Sequence, residues 1–428
     1  MTLALDLTIF AQEHPNASLA DLEQAVLDRV RGQLPRVLEA TISVATRSLQ
    51  GEHRPYRQAC ATCGQSQRCR SWRKRQVHTI CGRIALTRTW YVCKKCRHGW
   101  SPTDHSLGIA SQQRFSGGFQ AYLVRLGAMT VFREASKVLE LLTGWQVSPE
   151  TVRTHTETVG RRREAQQQKA IAQVERTREP PQPEEPAPGM LVVETDGVMV
   201  RFLDGWHEVK LGVVGGQVAG QLTQPSFVAA RETPERFGPR LLTEAARRGA
   251  LTPIGWLNPL AEIATMRPVT LLGDGAIWIW NLADEHFGTR IEIVDYYHSC
   301  EHLWQVANSV FGTATPTASA WARSLCHALL TDGVAPVRVA LSQLTSADLV
   351  AADLLRVERE YFRKNAARMD YPTFRALGLP IGSGAVESAG KHLVQNRMKR
   401  PGTRWSDEGA QAVLTLRCQF ISHECLIA

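Results

Sequence analysis

The sequence of 428 residues lacks any run of about 18 consecutive apolar residues, the length that a membrane-spanning helix needs. Its first residues, MTLALDLTIFAQEH, lack the basic segment of a secretory signal and carry Asp6 within the apolar stretch. Hydrophobic residues make up 43% of the chain and charged residues 21%, which excludes global disorder. We therefore expect a soluble, cytoplasmic protein of about two to four domains.

Acidic residues are absent between Arg54 and Arg97, a segment that contains twelve Lys and Arg. The formal charge of the whole chain is only +9, so the position of the positive charge matters more than its total. A concentrated block of one sign favours a partner of the opposite sign, and phosphate-bearing polymers are the usual one. The composition thus predicts a nucleic-acid-binding segment.

Six of the ten cysteines lie in this basic segment. Two CxxC pairs, at 60–63 and 93–96, are separated by 29 residues that contain a predicted β-hairpin. Four thiolates bind zinc tetrahedrally in a closed site that stabilises a fold and performs no chemistry. Cys69 and Cys81 lack the spacing and are either substitute ligands or, more simply, without a metal role. The predicted ligands of one structural zinc ion are Cys60, Cys63, Cys93 and Cys96.

The segment that follows is predicted to be helical. One helix ends near Gly144, after which Ser148 and Pro149 have the sequence pattern of an N-cap and a first helical residue. A helix, a short turn and a second helix form the plan of helix-turn-helix DNA-binding proteins, although plain helix bundles contain it too. The basic run 161–163 favours DNA, and Arg153 on the second helix is then a DNA-binding residue.

Twelve residues, REPPQPEEPAPG, contain five prolines and predict an extended linker. Beyond it, MLVVETDGVMVRFL and HEVKLGVVGGQV predict paired strands, and two strand-helix patterns follow before a helical C-terminal part. The fold class is multidomain α/β. The predicted organisation is an N-terminal helical region at 1–50, a basic zinc ribbon at 51–105, helix-turn-helix helices at 110–178, a linker at 179–189 and an α/β domain at 190–428 with a helical stretch at about 299–380.

Two aspartates, Asp196 and Asp274, each follow an apolar run and precede a glycine, as residues at strand ends do. Adjacent carboxylates repel and are stabilised by a hard divalent cation between them. Phosphoryl transfer with two metal ions also needs a third carboxylate, for which Glu301 and Glu387 are candidates. Glu387 is favoured because a Gly-rich turn starts its helix, and Lys391 lies one turn further along.

Four segments, ETDGVMV, LLGDGAIWIW, DYYHSCEHLW and the block from YPTFRALGLPIGSGAVESAGKH to VLTLR, resemble motifs of DDE transposases from bacterial insertion sequences, the Kra-type group in particular. The resemblance covers roughly residues 190–420. It implies an RNase H-like catalytic domain with an all-helical insertion, in which Asp196, Asp274 and Glu387 are the catalytic acids. Asp295 and His298 match the D-x-x-H signature of Mutator-like transposases.

For several residues around these motifs, the sequence allows both a functional and a structural interpretation. Asp295 and His298 either orient the active-site wall or contact DNA, or they form a local hydrogen bond that caps the next helix. Trp304 and Trp321 are more simply explained by core packing than by base stacking. The acid-free stretch after Glu387 favours contact with the DNA backbone through a set of basic residues: Lys391, Lys399, Arg400 and Arg404.

We therefore expect a transposase that binds insertion-sequence ends and catalyses strand cleavage and transfer with two Mg²⁺ (or Mn²⁺) ions, held by Asp196, Asp274 and Glu387. Its partner is double-stranded DNA, both terminal repeats and target, bound by a homodimer or larger assembly at the nucleoid. Arg73, Lys74 and Arg75 in the ribbon hold the phosphates. Two alternatives are a hydrolytic nuclease of the same fold and a non-catalytic, transposase-derived DNA-binding regulator, against which the intact acids speak.

Overall fold

The computed structural model describes residues 3–50, 57–177, 186–250 and 269–425. The chain divides into two compact units, Met1–Thr156 and Glu157–Ala428, each of which is described by itself. Most of the predicted linker, 178–185, lies outside the described residues. The molecule is a multidomain α/β protein, and no described helix combines the length and apolarity needed to cross a membrane.

The first unit begins with helices, as the apolar periodicity of residues 1–50 predicts. A capping box starts the longest of them: the Ser18 hydroxyl accepts the N–H of Asp21 at 3.2 Å, and the Asp21 carboxylate accepts the N–H of Ser18 at 2.9 Å. This helix continues through Pro35. The helices are α1 (Leu3–Glu13), α2 (Leu19–Ala45) and α3 (Arg47–Gln50).

The cysteine-rich segment forms short antiparallel sheets around one long hairpin. Its strands are β1 (Arg57–Ala59), β2 (Ser66–Arg68), β3 (Ser71–Thr79), β4 (Gly82–Val92) and β5 (Gly99–Trp100), followed by α4 (Pro102–Ser106). β3 pairs with β4 in the predicted hairpin, and Gly82 takes a φ of +109° at its turn. One face of the hairpin contributes Val77, Ile84 and Leu86 to a small core that α2 covers.

In the predicted helix pair, the first helix ends and the second helix begins at the expected residues. The pair consists of α6 (Phe132–Thr143) and α7 (Pro149–Thr177), which follow α5 (Gly117–Met129), and α7 continues into the second unit. Gly144 takes a left-handed φ of +72° at the end of α6, and the Ser148 hydroxyl accepts the N–H of Thr151 at 3.1 Å. The local geometry of the helix pair is thus the one that the sequence predicts.

The second unit contains a mixed sheet of five strands in its described part. These are β6 (Met190–Phe202), β7 (Gly205–Val218), β8 (Gln221–Ala230), β9 (Val269–Gly273) and β10 (Arg290–Val294). The spatial order is β10-β9-β6-β7-β8, with β6 central. β6, β7 and β8 pair antiparallel, whereas β9 pairs parallel to both β6 and β10. The carboxyl ends of β6, β9 and β10 therefore share one side of the sheet.

Strand β8 and the helix after it lie in a part of the sequence where no element was predicted. Pro225 interrupts the strand pattern, and a proline is compatible with a strand only at an edge or bulge. β8 is an edge strand, and its register with β7 shifts between Val214 and Gly216, opposite this proline. The N–H of Phe227 donates to the Ser422 hydroxyl at 3.1 Å, so the C-terminal helix covers this edge.

Helices surround this sheet and enclose an apolar core built largely from its strands. In the predicted helical stretch, Trp304 and Trp321 pack on a small alanine cluster, as the packing interpretation requires. The helices are α8 (Pro234–Arg247), α9 (Ile277–His286), α10 (Tyr296–Phe311), α11 (Pro316–Thr331), α12 (Val334–Gln343), α13 (Leu349–Lys364), α14 (Tyr371–Ala376), α15 (Gly384–Ala389), α16 (Asn396–Met398) and α17 (Asp407–Cys425), with a 3₁₀ turn at Ala366–Arg368 and a π-helical turn at Gly390–Gln395.

A buried guanidinium group joins α8 to α7 within this unit. Only 1% of the Arg240 side chain is exposed, and its nitrogens contact carboxylate oxygens of Glu164 at 2.6 Å and Glu232 at 2.7 Å. The Gln167 amide oxygen accepts a further hydrogen bond from Arg240 at 3.0 Å. Every charge in this cluster depends on the others, because a buried ion without its partner is strongly destabilising.

We predict that Arg240→Ala lowers the free energy of unfolding by about 3–5 kcal/mol, because Glu164 and Glu232 then remain buried without a cation. Arg356→Ala is the matched control. Arg356 also forms an ion pair with an acidic residue, within one helix, but its side chain is 73% exposed. That substitution should cost at most about 1 kcal/mol. Denaturant titration measures both, and equal losses of stability would contradict the assignment.

Candidate functional site

The four cysteines of the two CxxC pairs form one cluster. The sulfur atoms of Cys60 and Cys96 are 3.6 Å apart, those of Cys63 and Cys93 are 3.4 Å apart, and all four lie within 4.8 Å of one another. A tetrahedral ion with Zn–S bonds of about 2.3 Å places its sulfurs about 3.8 Å apart. The cluster therefore fits a structural metal ion such as zinc.

The two loops that carry these cysteines have the same local structure. In the first, the N–H of Gly64 donates to the carbonyl of Cys60 at 2.8 Å; in the second, the N–H of Arg97 donates to the carbonyl of Cys93 at 2.9 Å. Gly64 and Arg97 both take a left-handed φ, +71° and +58°. Each turn thus presents two sulfurs on one side, which is what shared ligation requires.

Hydrogen bonds favour the thiolate form of one ligand. Burial acts to raise the pKa of Cys60, but the backbone N–H groups of Thr62 and Cys63, together with neighbouring thiols, lower it to about 6. Thiolate is the form that binds metal. Cys69 instead contacts the carbonyl oxygens of Ser71 and Trp90, and neither Cys69 nor Cys81 belongs to the cluster.

A cationic groove of about 890 Å³ lies beside this cluster. It contains no acidic side chain among its described lining residues. Its charged lining residues are Arg57, Arg68, Arg70, Lys94 and Arg97. Such a surface has the charge that complements a polyanion, and the cysteine cluster that fits a structural metal ion lies next to the strands that present these side chains.

The three basic residues predicted to hold phosphates differ in their surroundings. Arg73 and Lys74 are exposed, and the Arg73 guanidinium stacks 4.6 Å from the ring centre of Trp90. Arg75 is largely buried: it pairs with Asp104 at 2.9 Å and donates to the carbonyls of Ala110 and Gln113 at 2.7 and 2.6 Å. Arg75 therefore stabilises this unit, whereas its two neighbours remain accessible.

In the second unit, three aspartates lie in one row across neighbouring strands. The last register pair of β6 and β9 is Glu194 with Leu272, so Asp196 and Asp274 occupy equivalent positions two residues further on. β10 pairs Val294 with Gly273, which places Asp295 beside Asp274. Parallel pairing thus brings together carboxylates that are far apart in sequence.

The electrostatics of Asp196 reflect this crowding. Burial raises its pKa, the negative charges of Asp274 and Glu387 raise it further, and the N–H of Gly197 and the nearby His298 oppose the rise. Glu301 has no comparable effect on the pKa of Asp196 and forms an exposed ion pair with His298 at 3.4 Å. Of the two candidates for the third acid, Glu387 is thus the one next to Asp196.

The helix that carries Glu387 is attached to the sheet by two buried carboxylates. Glu194 accepts the N–H of Val386 at 2.8 Å, and Asp295 accepts the N–H of Ser383 at 2.6 Å as well as the hydroxyl of Ser383. Glu194 is 3% exposed and Asp295 1% exposed. Burial, together with the charges of Asp295 and Glu387, raises the pKa of Glu194 to about 7, against the opposing effect of the Val386 N–H.

Asp295 also caps the next helix, as the local interpretation of this motif predicts. Its carboxylate accepts the N–H of His298 at 3.0 Å at the start of α10. Its own N–H donates to the carbonyl of Gly273 at 2.8 Å, next to Asp274. Asp295 thereby positions three segments near Asp196, and the partly exposed His298 is near enough to oppose the rise in the pKa of Asp196.

A π-helical turn follows Glu387 directly. It spans Gly390–Gln395, and Arg417 donates to its carbonyls at His392 and Leu393 at 2.5 and 2.6 Å. Such turns are rare and occur frequently at functional sites. Lys391 within it is exposed, as are Lys399, Arg400 and Arg404 further along. Trp405 is instead buried and donates to the carbonyl of Met398 at 3.1 Å, so these two residues pack.

Glu194 is a site residue that sequence patterns did not predict. It lies two positions before Asp196 on the same face of β6, within the apolar run LVVE. An ionisable residue inside a buried strand needs a partner, and that pattern was the available signal. The partner, the N–H of Val386, is 192 residues away and has no sequence signature.

The chain belongs to a family described as an uncharacterised protein family, UPF0236, whose profile matches residues 16–310. A relative in Streptococcus gallolyticus, the "UPF0236 protein in vanSb 3'region", is 25% identical over 355 residues, which cover 80% of this chain and 71% of the relative. The family match includes the four clustered cysteines and all three aspartates of the row. Glu387 lies beyond it.

We predict that each of Cys60→Ser, Cys63→Ser, Cys93→Ser and Cys96→Ser lowers the zinc content from about one ion per chain, because a structural site needs all four thiolates. Cys69→Ser and Cys81→Ser are the matched controls and should retain the metal. Elemental analysis of the purified proteins measures this. Wild-type protein without zinc, or metal release from the control variants, would contradict the assignment.

Proposed function

We propose that this protein is a DDE-type transposase that binds insertion-sequence ends and catalyses DNA strand cleavage and transfer. The observation that carries the proposal is the position of Asp196 and Asp274 beyond the carboxyl ends of adjacent strands, with Glu387 of α15 near enough to raise the pKa of Asp196. The mixed sheet, with an antiparallel trio followed by two parallel strands, is compatible with the RNase H-like fold that the resemblance implies.

The donor set fits hard divalent cations such as Mg²⁺. Carboxylate oxygens are the ligands these ions prefer, and a cation would offset both the burial and the neighbouring negative charges that raise the pKa of Asp196. When bound, two such ions stabilise the attacking and leaving oxygens of an in-line displacement at phosphorus. Asp196, Asp274 and Glu387 are the residues that would hold these ions.

The role of Glu194 and Asp295 is to orient the helix of Glu387. That of His298, at the start of α10, is to oppose the rise in the pKa of Asp196.

Exposed basic residues supply the DNA contacts in this proposal. In the ribbon these are Arg73, Lys74 and the basic residues of the cationic groove. After α15, the helix that carries Glu387, they are Lys391, Lys399, Arg400 and Arg404. Contacts with phosphate position a protein on DNA without reading sequence. The preference for element ends is assigned to the second helix of the helix pair, where Arg153 is exposed next to Glu150.

We predict that Asp196→Ala, Asp274→Ala and Glu387→Ala each lower the cleavage rate by about a hundredfold or more, because removing a ligand removes several kcal/mol of transition-state stabilisation. Binding to element ends should stay near the wild-type level. Glu301→Ala is the control and should cleave normally. A labelled 3′-OH end distinguishes joining from hydrolysis; cleavage without joining would favour the nuclease alternative.

We predict that the double variant Arg73→Ala/Lys74→Ala weakens binding to element ends and to random duplexes by similar factors, because both side chains neutralise phosphates. The slope of log affinity against log salt should flatten by about one unit for each phosphate that is no longer neutralised. Arg153→Ala should instead reduce only the preference for element ends. Titrations at three salt concentrations separate the two effects, and the reverse pattern would reject this division.

A further inference from the structure

A second cavity in the first unit shares no lining residue with the cationic groove. It has a volume of about 690 Å³ and is open to solvent. Small-molecule sites commonly measure about 300–1,000 Å³. It lies between the β3–β4 hairpin, β5 and the chain on either side of α4, and we call it the β5 cleft. Residues lining it include Arg75, Arg88, Trp90, Trp100, Asp104 and Arg114.

Positive charge exceeds negative charge at the base of this cleft. Arg75 and Arg88 contact the same carboxylate oxygen of Asp104, at 2.9 and 2.7 Å. Burial lowers the pKa of Arg88, and the guanidinium groups of Arg75 and Arg73 add to this effect while Asp104 opposes it. A single carboxylate thus forms ion pairs with two largely buried guanidinium groups. Arg114 adds an exposed positive charge among the residues that line the cleft. A second anion would relieve this excess.

Two buried polar atoms of the cleft lack hydrogen-bond partners among the described residues. They are Nε of Arg88, a donor, and Oδ1 of Asp104, an acceptor. Arg88 is 9% exposed and Asp104 8% exposed, so bulk water solvates neither fully. Buried polar groups in proteins are normally paired, so a ligand that reaches these atoms from the cleft would supply the missing partners.

Aromatic side chains form the remaining wall. Trp90 has the guanidinium groups of Arg73 and Arg88 at 4.6 and 5.1 Å from its ring centre. Trp100 stacks on Tyr91 with ring centres 5.4 Å apart, lies nearly parallel to the His98 ring at 6.2 Å and is partly exposed. Guanidinium groups bind phosphate, an unpaired carboxylate oxygen accepts N–H groups, and an indole offers a stacking surface for a base. One ligand that combines these needs is a nucleotide.

We propose that the β5 cleft binds one unpaired nucleotide of a DNA strand, with its phosphate at Arg88 and Arg114 and its base beside Trp100 and Asp104. This site deepens the proposed function, on which it rests for the choice of DNA. A base in a duplex is stacked and paired on both sides, so the cleft is accessible only to a single-stranded or extruded nucleotide. The cleft therefore recognises an opened DNA end.

Equilibrium binding of a dye-labelled, single-stranded deoxyadenylate oligomer of about ten nucleotides to the full, zinc-loaded chain tests this site without added magnesium, since single-strand sites span about 4–16 nucleotides. Arg114→Glu should weaken binding about tenfold or more, because a charge-assisted contact becomes a repulsion. Arg83→Glu is the matched control: Arg83 is exposed in the same unit, makes the same charge change and lies outside the cleft. It should weaken binding less than about threefold.

Arg88→Lys tests the base of the cleft with its charge retained, and it should weaken binding several-fold because lysine lacks the planar fork of donors. A retained zinc content shows that each variant is folded. On a blunt duplex, Arg114→Glu and Arg83→Glu should have similar effects, since no unpaired nucleotide is present. Asp196→Ala should bind the oligomer like the wild type, which separates this site from the catalytic proposal.

Equal weakening of oligomer binding by Arg114→Glu and Arg83→Glu would overturn the proposal, because the cleft would then act only through its general charge. Wild-type oligomer binding by Arg88→Lys would equally reject the site, because the unpaired donor at its base would then contribute nothing.

Discussion

The arrangement of acids in the second unit depends on the attachment of one short helix to the sheet. α15 has six residues and cannot hold its own position, because helices of this length are unstable alone. Glu194 and Asp295 fix it by accepting the N–H groups of Val386 and Ser383. Burying two carboxylates near each other is unfavourable, and these hydrogen bonds to the helix start offset part of that cost.

Local features of the site could be predicted from the sequence. Apolar runs followed by Asp-Gly mark Asp196 and Asp274, the CxxC spacing marks the four clustered cysteines, and Ser148 marks a helix start. In each case the information lies within a few neighbouring residues. Glu194, Arg240 and strand β8 could not be placed in the same way, because their positions depend on partners far away in the chain or, for β8, on an edge position that tolerates Pro225.

The two units use charge in opposite ways. The first accumulates arginine and lysine on short strands held by a closed cysteine cluster, and even its buried Asp104 is shared between two guanidinium groups. The second accumulates carboxylates at one side of its sheet, where the pKa of Asp196 and that of Glu194 are raised by burial and by neighbouring acids. Cationic surface suits phosphate directly, whereas crowded carboxylates suit phosphate only through a cation.

The π-helical turn explains how the helix of Glu387 fits the sheet while its next residues reach solvent. A Cβ atom at Gly390 would lie 3.3 Å from the Val198 side chain, so the backbone approaches β6 closely at the point where the turn begins. A wider turn leaves carbonyls without their usual partners, and Arg417 of α17 donates to two of them. Burial lowers the pKa of Arg417 to about 10, which still leaves it cationic near neutral pH. The position of Glu387 and Lys391 therefore depends on the C-terminal helix as well as on the two carboxylates of the sheet.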